Sequence, residues 1–189
     1  MYRPYIVQVA RGNNKHGLSE ARLEVFDLAT EIGPMVGLCT DQDAMMKASK
    51  AAMSLCADRS SIGAIAVYVI GPKDDIGIHK IGISNNPIKR LEGLQIGNWH
   101  PLAIKSLLWI YGYNGALKAE QLALAAAAEM DVSLGGEWVE MDALEASALA
   151  LKAARYERLP TCDSATLLRN LAARMEAAAK TMRGMQKAA

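Results

Sequence analysis

Apolar and polar positions change period several times along the chain, and the changes divide it into segments. Tyr2 to Ala10 has the character of a strand or an extended arm, and Arg11-Gly12-Asn13-Asn14 breaks it. Ser19 then caps a predicted helix over 20–32, in which Leu23, Phe26, Leu28 and Ile32 form a partial apolar face; Gly33-Pro34 stops it. A second helix, rich in Met and Ala, is expected over 41–57, with Thr40 or Asp41 as its cap. Ser60-Ser61-Ile62-Gly63 is a loop signal. Beyond it the pattern becomes that of strands. Ala64 to Ile70 is a continuous apolar run of strand length, and Ile78 to Ser84 is a second, with the loop Gly71–Gly77 between them.

Asn86 and Pro87 have the chemistry of a helix N-cap and first helical position, so a helix is expected from Pro87 to about Gln95, ending near Gly97. Leu102 to Tyr111 is a third strand, with Leu102, Ile104 and Leu108 expected on one face. An Ala-rich helix over 116–130, capped by Asn114, follows. Glu137 to Met141 is a short strand candidate after the Gly135-Gly136 break. From Asp142 the chain reads as helix to about Arg155. Pro160 separates a last helix, capped by Thr161 or Asp163, in which Leu168, Leu171, Met175, Ala178, Met182 and Met185 recur at threes and fours. That stripe fits packing on its own domain or contact with a partner or second copy.

The expected fold is therefore of the mixed α/β (α+β) class: a small antiparallel three-stranded sheet flanked by helices, with helical extensions at both ends. The expected organisation is a helical extension over 1–63, a central domain over 64–142 and C-terminal helices over 143–189.

Composition narrows the chemistry. The formal net charge is +1, and residues 65–141 hold six Lys or Arg against eight Asp or Glu, which argues against a purely electrostatic nucleic-acid binder. Cys39, Cys56 and Cys162 are widely spaced and form no C-x-x-C pair, so neither a disulfide framework nor a zinc site is expected, and a cytoplasmic setting is the simplest. With only His16, His79 and His100, a site built on several histidines is not expected. No long apolar run suggests a membrane span.

Three polar side chains stand in apolar surroundings: Tyr68, Lys80 and Arg90. A hairpin closed symmetrically around Gly71–Gly77 sets Ile70 opposite Ile78, Tyr68 opposite Lys80 and Ala66 opposite Gly82, which makes Tyr68 and Lys80 neighbours. Lys80 there would favour the phenolate of Tyr68. Arg90 can reach a phosphate with a bidentate fork. Glu120 lies three residues after Leu117 and four before Leu124, on their apolar face, where a carboxylate is costly unless a cation or metal accompanies it. One carboxylate with phosphate oxygens and water suits magnesium. Trp99 and His100 can line a groove, and Tyr111 and Tyr113 can stack on a base. Each alone has a plainer reading, as a core aromatic, a surface lysine, a solvated arginine or an ion-paired glutamate; they gain weight only together.

At these residues the sequence resembles the GIY-YIG nuclease superfamily, in its phage and bacterial branch with KIG and GEW elements. Ala66-Val67-Tyr68 stands at the GIY element and Lys80-Ile81-Gly82 at KIG. Lys89-Arg90-Leu91 follows on the helix. Glu120 matches the metal-binding glutamate, and Gly136-Glu137-Trp138 matches GEW. The resemblance spans residues 64–142. It implies that Tyr68 is a general base or water-orienting group, that Lys80 holds nucleophile or phosphate, that Arg90 stabilises charge on the phosphate, and that Glu120 holds a divalent metal such as Mg2+. The implied activity is DNA endonuclease in a bacterial or phage-infected cell. Leu124, where the branch often has His, and Ala127-Ala128-Glu129-Met130, where it has basic residues, depart from the pattern. The alternative is a related domain with little or no catalysis that binds nucleic acid or protein. The helical extensions make a protein partner or self-association an expectation under either reading.

Overall fold

The computed structural model describes residues 42–55, 62–74 and 76–188. The arm over 2–10 and the helix over 20–32 expected from sequence lie outside them. In chain order the elements are α1 (Gln42–Leu55), β1 (Ala64–Pro72), β2 (Ile78–Ser84), α2 (Pro87–Ile96), β3 (Leu102–Tyr111), α3 (Tyr113–Glu129), β4 (Ser133–Gly135), β5 (Trp138–Glu140), α4 (Ala143–Tyr156), β6 (Thr161–Cys162) and α5 (Ser164–Ala188).

The class is α+β, and the sheet is antiparallel, but among the described residues it has six strands in the order β4-β5-β2-β1-β3-β6 rather than three. The three additional strands are only two or three residues long. One of them, β5, falls inside the strand candidate Glu137–Met141, whereas β4 and β6 complete too little alternation of period two to leave a sequence pattern.

The hairpin register also differs from expectation. Ala66 faces Ser84, Tyr68 faces Gly82 and Ile70 faces Lys80, a shift of two residues from symmetric closure. A shift of two preserves which face each side chain takes. Tyr68 and Lys80 therefore still share a face, as diagonal rather than direct neighbours. On β3 the expected common face of Leu102, Ile104 and Leu108 is broken by a bulge: Val69 pairs with Ser106 while Ile70 pairs with Ile104. The extra residue, Lys105, shifts the alternation. Leu102 and Ile104 thus join one core and Leu108 the other. The α3 helix begins at Tyr113, earlier than expected, and the residue before it is Gly112 with φ of 88°, not a capping Asn114.

Each sheet face is covered. On one, Val67, Val69, Ile81, Leu108 and Ile110 pack against the small residues Ala116, Ala119, Ala123 and Ala127 of α3, and against α4. The Ala stripe lets α3 approach the sheet closely. The α4 helix, grouped by sequence with the C-terminal extension, is closely buried in this same core and begins with a capping box between Asp142 and Glu145. On the other face, Ala66, Tyr68, Ile70, Leu107 and Trp109 meet α1, α5 and the inner side of α2. The Ser164 hydroxyl ties three elements there. It accepts from Trp109 Nε1 and from Ser49 Oγ, each at 2.9 Å. Asp163, one of the two expected caps, holds the start of α5 by accepting from Thr166 N at 2.6 Å. From Met175 onward the apolar stripe of α5 leaves the core, and Met175, Met182 and Met185 are exposed. Among the described residues, no helix is long and apolar enough to cross a membrane.

At Gly71 the strand β1 has no room for a side chain. A Cβ there would overlap the ring of His79 and lie 2.9 Å from the Ile78 carbonyl oxygen. His79 cannot turn aside cheaply, because it is fully buried and its Nδ1 is 2.9 Å from Met141 O. Gly71→Ala is expected to destabilise the protein by about 1–3 kcal/mol through overpacking, lowering the melting temperature by about 2–4 °C per kcal/mol. Urea or thermal unfolding measures this; an unchanged midpoint would contradict the packing at this point.

Candidate functional site

Five side chains from five places in the fold meet near Gly82. Tyr68 comes from the middle of the central strand β1 and is fully buried. It faces Gly82 across the ladder, and a Cβ at position 82 would overlap its hydroxyl. The same missing Cβ would lie 3.0 Å from Glu137 Oε2. The phenol and this carboxylate thus approach one another over a glycine, which is the residue type that leaves them room.

Arg90 comes from the first turn of α2. Asn86 starts that helix, its Oδ1 accepting from Lys89 N at 3.2 Å, with Pro87 at the first helical position. The cap fixes where the turn begins, and the turn delivers Arg90 Nε to the Tyr68 hydroxyl at 3.1 Å. Arg90 is otherwise exposed.

Lys80 is buried on β2, forms an ion pair with Glu137, and has its Nζ 5.8 Å from the centre of the Trp138 ring. Glu120 reaches the site from α3, which packs on the opposite sheet face. It does so past the edge of β2. The β5 strand pairs only with Ile78, His79 and Lys80. Beyond that, Ile81 N donates to Glu137 O at 3.0 Å, and the Glu120 carboxylate accepts a backbone hydrogen bond from Ile83. The open edge amides of β2 are therefore used to hold the turn of Glu137 and the carboxylate of Glu120.

The charges act on each other. Burial pushes the Tyr68 hydroxyl above its usual range, and the hydrogen bond from Arg90 offsets only part of that. The expected lowering by Lys80 is not what governs this tyrosine: the cation that favours its phenolate is Arg90. Tyr68 is consequently a neutral phenol at neutral pH, suited to orienting a group rather than abstracting a proton. The bond to Tyr68 in turn holds Arg90 more firmly protonated. Burial, then the nearby Glu137 carboxylate, raises the Glu120 carboxyl, against the Ile83 hydrogen bond and the attraction of Lys80 and Arg90.

Of the residues singled out from sequence, Tyr68, Lys80, Arg90 and Glu120 share one electrostatic neighbourhood. The aromatic candidates stand apart from it. Tyr111 is at the end of β3 opposite Ala64, about 13 Å along β1 from Tyr68, and its hydroxyl accepts from Asn170 Nδ2 of α5 at 3.4 Å. Tyr113 begins α3 and is exposed. Trp99 and His100 lie in the loop between α2 and β3, at the opposite end of β3 from Tyr111. Sequence reasoning missed Glu137 as a site residue. Its signal is Gly136-Glu137-Trp138, the match to GEW, which marks a motif without assigning Glu137 a role.

A divalent cation fits the donor chemistry here. Glu120 is a buried carboxylate with a second carboxylate raising its pKa, so added positive charge would relieve both. No group of three or more His, Cys, Asp or Glu occurs among the described residues, so such an ion would draw on one or two glutamates and take the rest of its oxygens from water and substrate. No family model, curated protein or solved structure matches the chain.

The raised carboxyl makes Glu120 a burden on stability at neutral pH. An acid whose folded-state pKa exceeds its ordinary value, 4.5 here, binds its proton more tightly when folded. Its contribution is full below that value and is lost as pH rises through the folded one. Glu120→Gln, which keeps an acceptor for Ile83, is expected to raise the melting temperature by about 2–4 °C at pH 7, with no gain below pH 4.5. Thermal melts across pH measure this; an equal or lower melting temperature at pH 7 would contradict the account of Glu120.

Proposed function

We propose that the chain is a metal-dependent endonuclease of GIY-YIG type that hydrolyses DNA phosphodiester bonds. The observation that carries the reading is the hydrogen bond from Arg90 Nε to the buried Tyr68 hydroxyl, with Glu120 brought from the other side of the sheet into the field of both. The motif resemblance at Tyr68, Lys80, Arg90, Glu120 and Glu137 supports the same reading. No structural need of the hairpin asks for a carboxylate from α3 at this edge.

In this reading the Arg90 fork binds non-bridging phosphate oxygens through its Nη groups while Nε stays on Tyr68. That bond fixes the guanidinium plane before substrate arrives, so little reorganisation accompanies the rise of charge on phosphorus. The Tyr68 oxygen, already accepting from Arg90, has a second lone pair for a water hydrogen and so orients the attacking water. Lys80 exchanges part of its pairing with Glu137 for the phosphate. Water adds to phosphorus and gives a proton to solvent, and the bond to the leaving sugar oxygen breaks, that oxygen taking a proton from solvent. A magnesium ion held by Glu120, when bound, supplies positive charge to the leaving oxygen.

Two measurements test this together. Supercoiled and single-stranded DNA incubated with Mg2+ should be cut by the wild type, and Glu120→Gln should lower the rate by about 10²–10³. In the absence of DNA, Mg2+ should raise the melting temperature of the wild type and leave that of Glu120→Gln unchanged. Equal cutting by both proteins would reject the role of Glu120. No cutting by either, across varied substrates, would favour the second reading, a nuclease-like domain serving as a binding or assembly module. The exposed Met175, Met182 and Met185 face of α5 is the feature that favours it.

A further inference from the structure

The end of α2 and the loop that joins it to β3 display large apolar side chains to solvent on a fixed backbone. Trp99 is 87% exposed and Ile96 90%. The backbone beneath them is held by two side chains, Gln95 and Asn98. Gln95 Nε2 donates to Asn98 O at 3.0 Å and to His100 O at 2.9 Å, while Gln95 Oε1 accepts from Leu102 N at 2.7 Å. Asn98 Oδ1 accepts from His100 N at 3.0 Å. Loop geometry is therefore set by polar contacts and owes nothing to burial of Trp99. The indole packs on the His100 ring, with centroids 3.6 Å apart and planes at 33°. One face of the indole is backed, and its outer face is open.

An indole carries about 150–250 Å² of surface, far less than the roughly 800 Å² per partner that a stable protein interface covers. A flat face backed by another ring suits a single flat guest. The loop also continues α2, the helix whose first turn carries Arg90. Leu107 faces Tyr68, and β3 returns from Leu107 to Leu102 over about 17 Å, at most about five nucleotides at the per-strand repeat of a duplex. A strand whose phosphate rests on Arg90 can thus reach Trp99 within a few nucleotides.

We propose that Trp99, backed by His100, is a stacking platform for one unpaired base a few nucleotides from the phosphate bound at Arg90, so that the favoured substrate is single-stranded DNA or DNA with an unpaired segment. This rests on the nuclease reading above and adds to it the substrate class. It also answers the slightly acidic balance of residues 65–141. Stacking supplies affinity that does not come from phosphate neutralisation.

The test measures binding without cleavage, in the Glu120→Gln background without metal, by anisotropy of labelled strands. The probes are a thymidine homopolymer of about 16 nucleotides, the upper end of single-strand site sizes, an abasic strand of equal length, and a duplex of equal length. Trp99→Ala should weaken homopolymer binding about 5- to 150-fold, and Trp99→Phe should restore most of it. The abasic strand and the duplex should bind wild-type loop residues no better than the homopolymer binds Trp99→Ala. The exposed position means that Trp99→Ala should melt with the parent protein, which removes misfolding as an explanation. Equal binding by Trp99→Ala, or equal binding of abasic strand or duplex, would overturn the inference. Separate cleavage assays keep the two claims apart. Cutting that depends on Glu120 but not on Trp99 would leave the nuclease reading and reject the platform. Trp99-dependent binding without any cutting would do the reverse.

Discussion

The site depends on the absence of one carbon atom. Gly82 faces Tyr68 across the central ladder, and any side chain at that position would occupy the place of the Tyr68 hydroxyl. With no Cβ there, the phenol lies across β2, reaches Arg90 Nε and stands beside the Glu137 carboxylate. Arg90 is oriented by that hydroxyl, and Glu137 pairs with Lys80 on the strand that carries the glycine. The contacts above the sheet therefore begin with a backbone position where an empty space is required.

The edge of β2 is the second constraint. Open strand edges present unpaired amides that must be satisfied. Here β5 covers only the first three residues of β2, and the following amides go to the carbonyl of Glu137 and the carboxylate of Glu120. The second arrangement is costly, since it sets a buried carboxylate close to another. A fold optimised for stability alone would place a neutral acceptor at position 120. Retaining charge at such a point is the pattern expected where function and stability pull apart.

Much of this was legible in the sequence. The long strands β1, β2 and β3 carry apolar runs that predict them, and Asn86-Pro87 predicts the start of α2 within a residue. Tyr68, Lys80, Arg90 and Glu120 could be named because each is polar in apolar surroundings. The register could not be read, because the Gly71–Gly77 loop does not fix how the hairpin closes; the prediction that Tyr68 and Lys80 share a face survived because the slip was even. The β3 bulge was invisible because Lys105 in a strand looks like an ordinary outward residue, whereas it is buried with its Nζ donating to Lys73 O at 2.9 Å. The tyrosine's electrostatics are not legible for a related reason: spacing shows the proximity of Lys80 but neither the depth of burial nor the direction of Arg90.

The central claim is that Tyr68 and Arg90 act as one unit on a phosphodiester. A double-mutant cycle on the rate of DNA cleavage, with Tyr68→Phe, Arg90→Ala and the pair, tests it most directly. If the hydroxyl orients the guanidinium as the 3.1 Å contact indicates, each single change removes most of what the other would remove. The coupling should then fall at about 0.5–3 kcal/mol, as for residues in direct contact. Independent, additive losses would contradict the account.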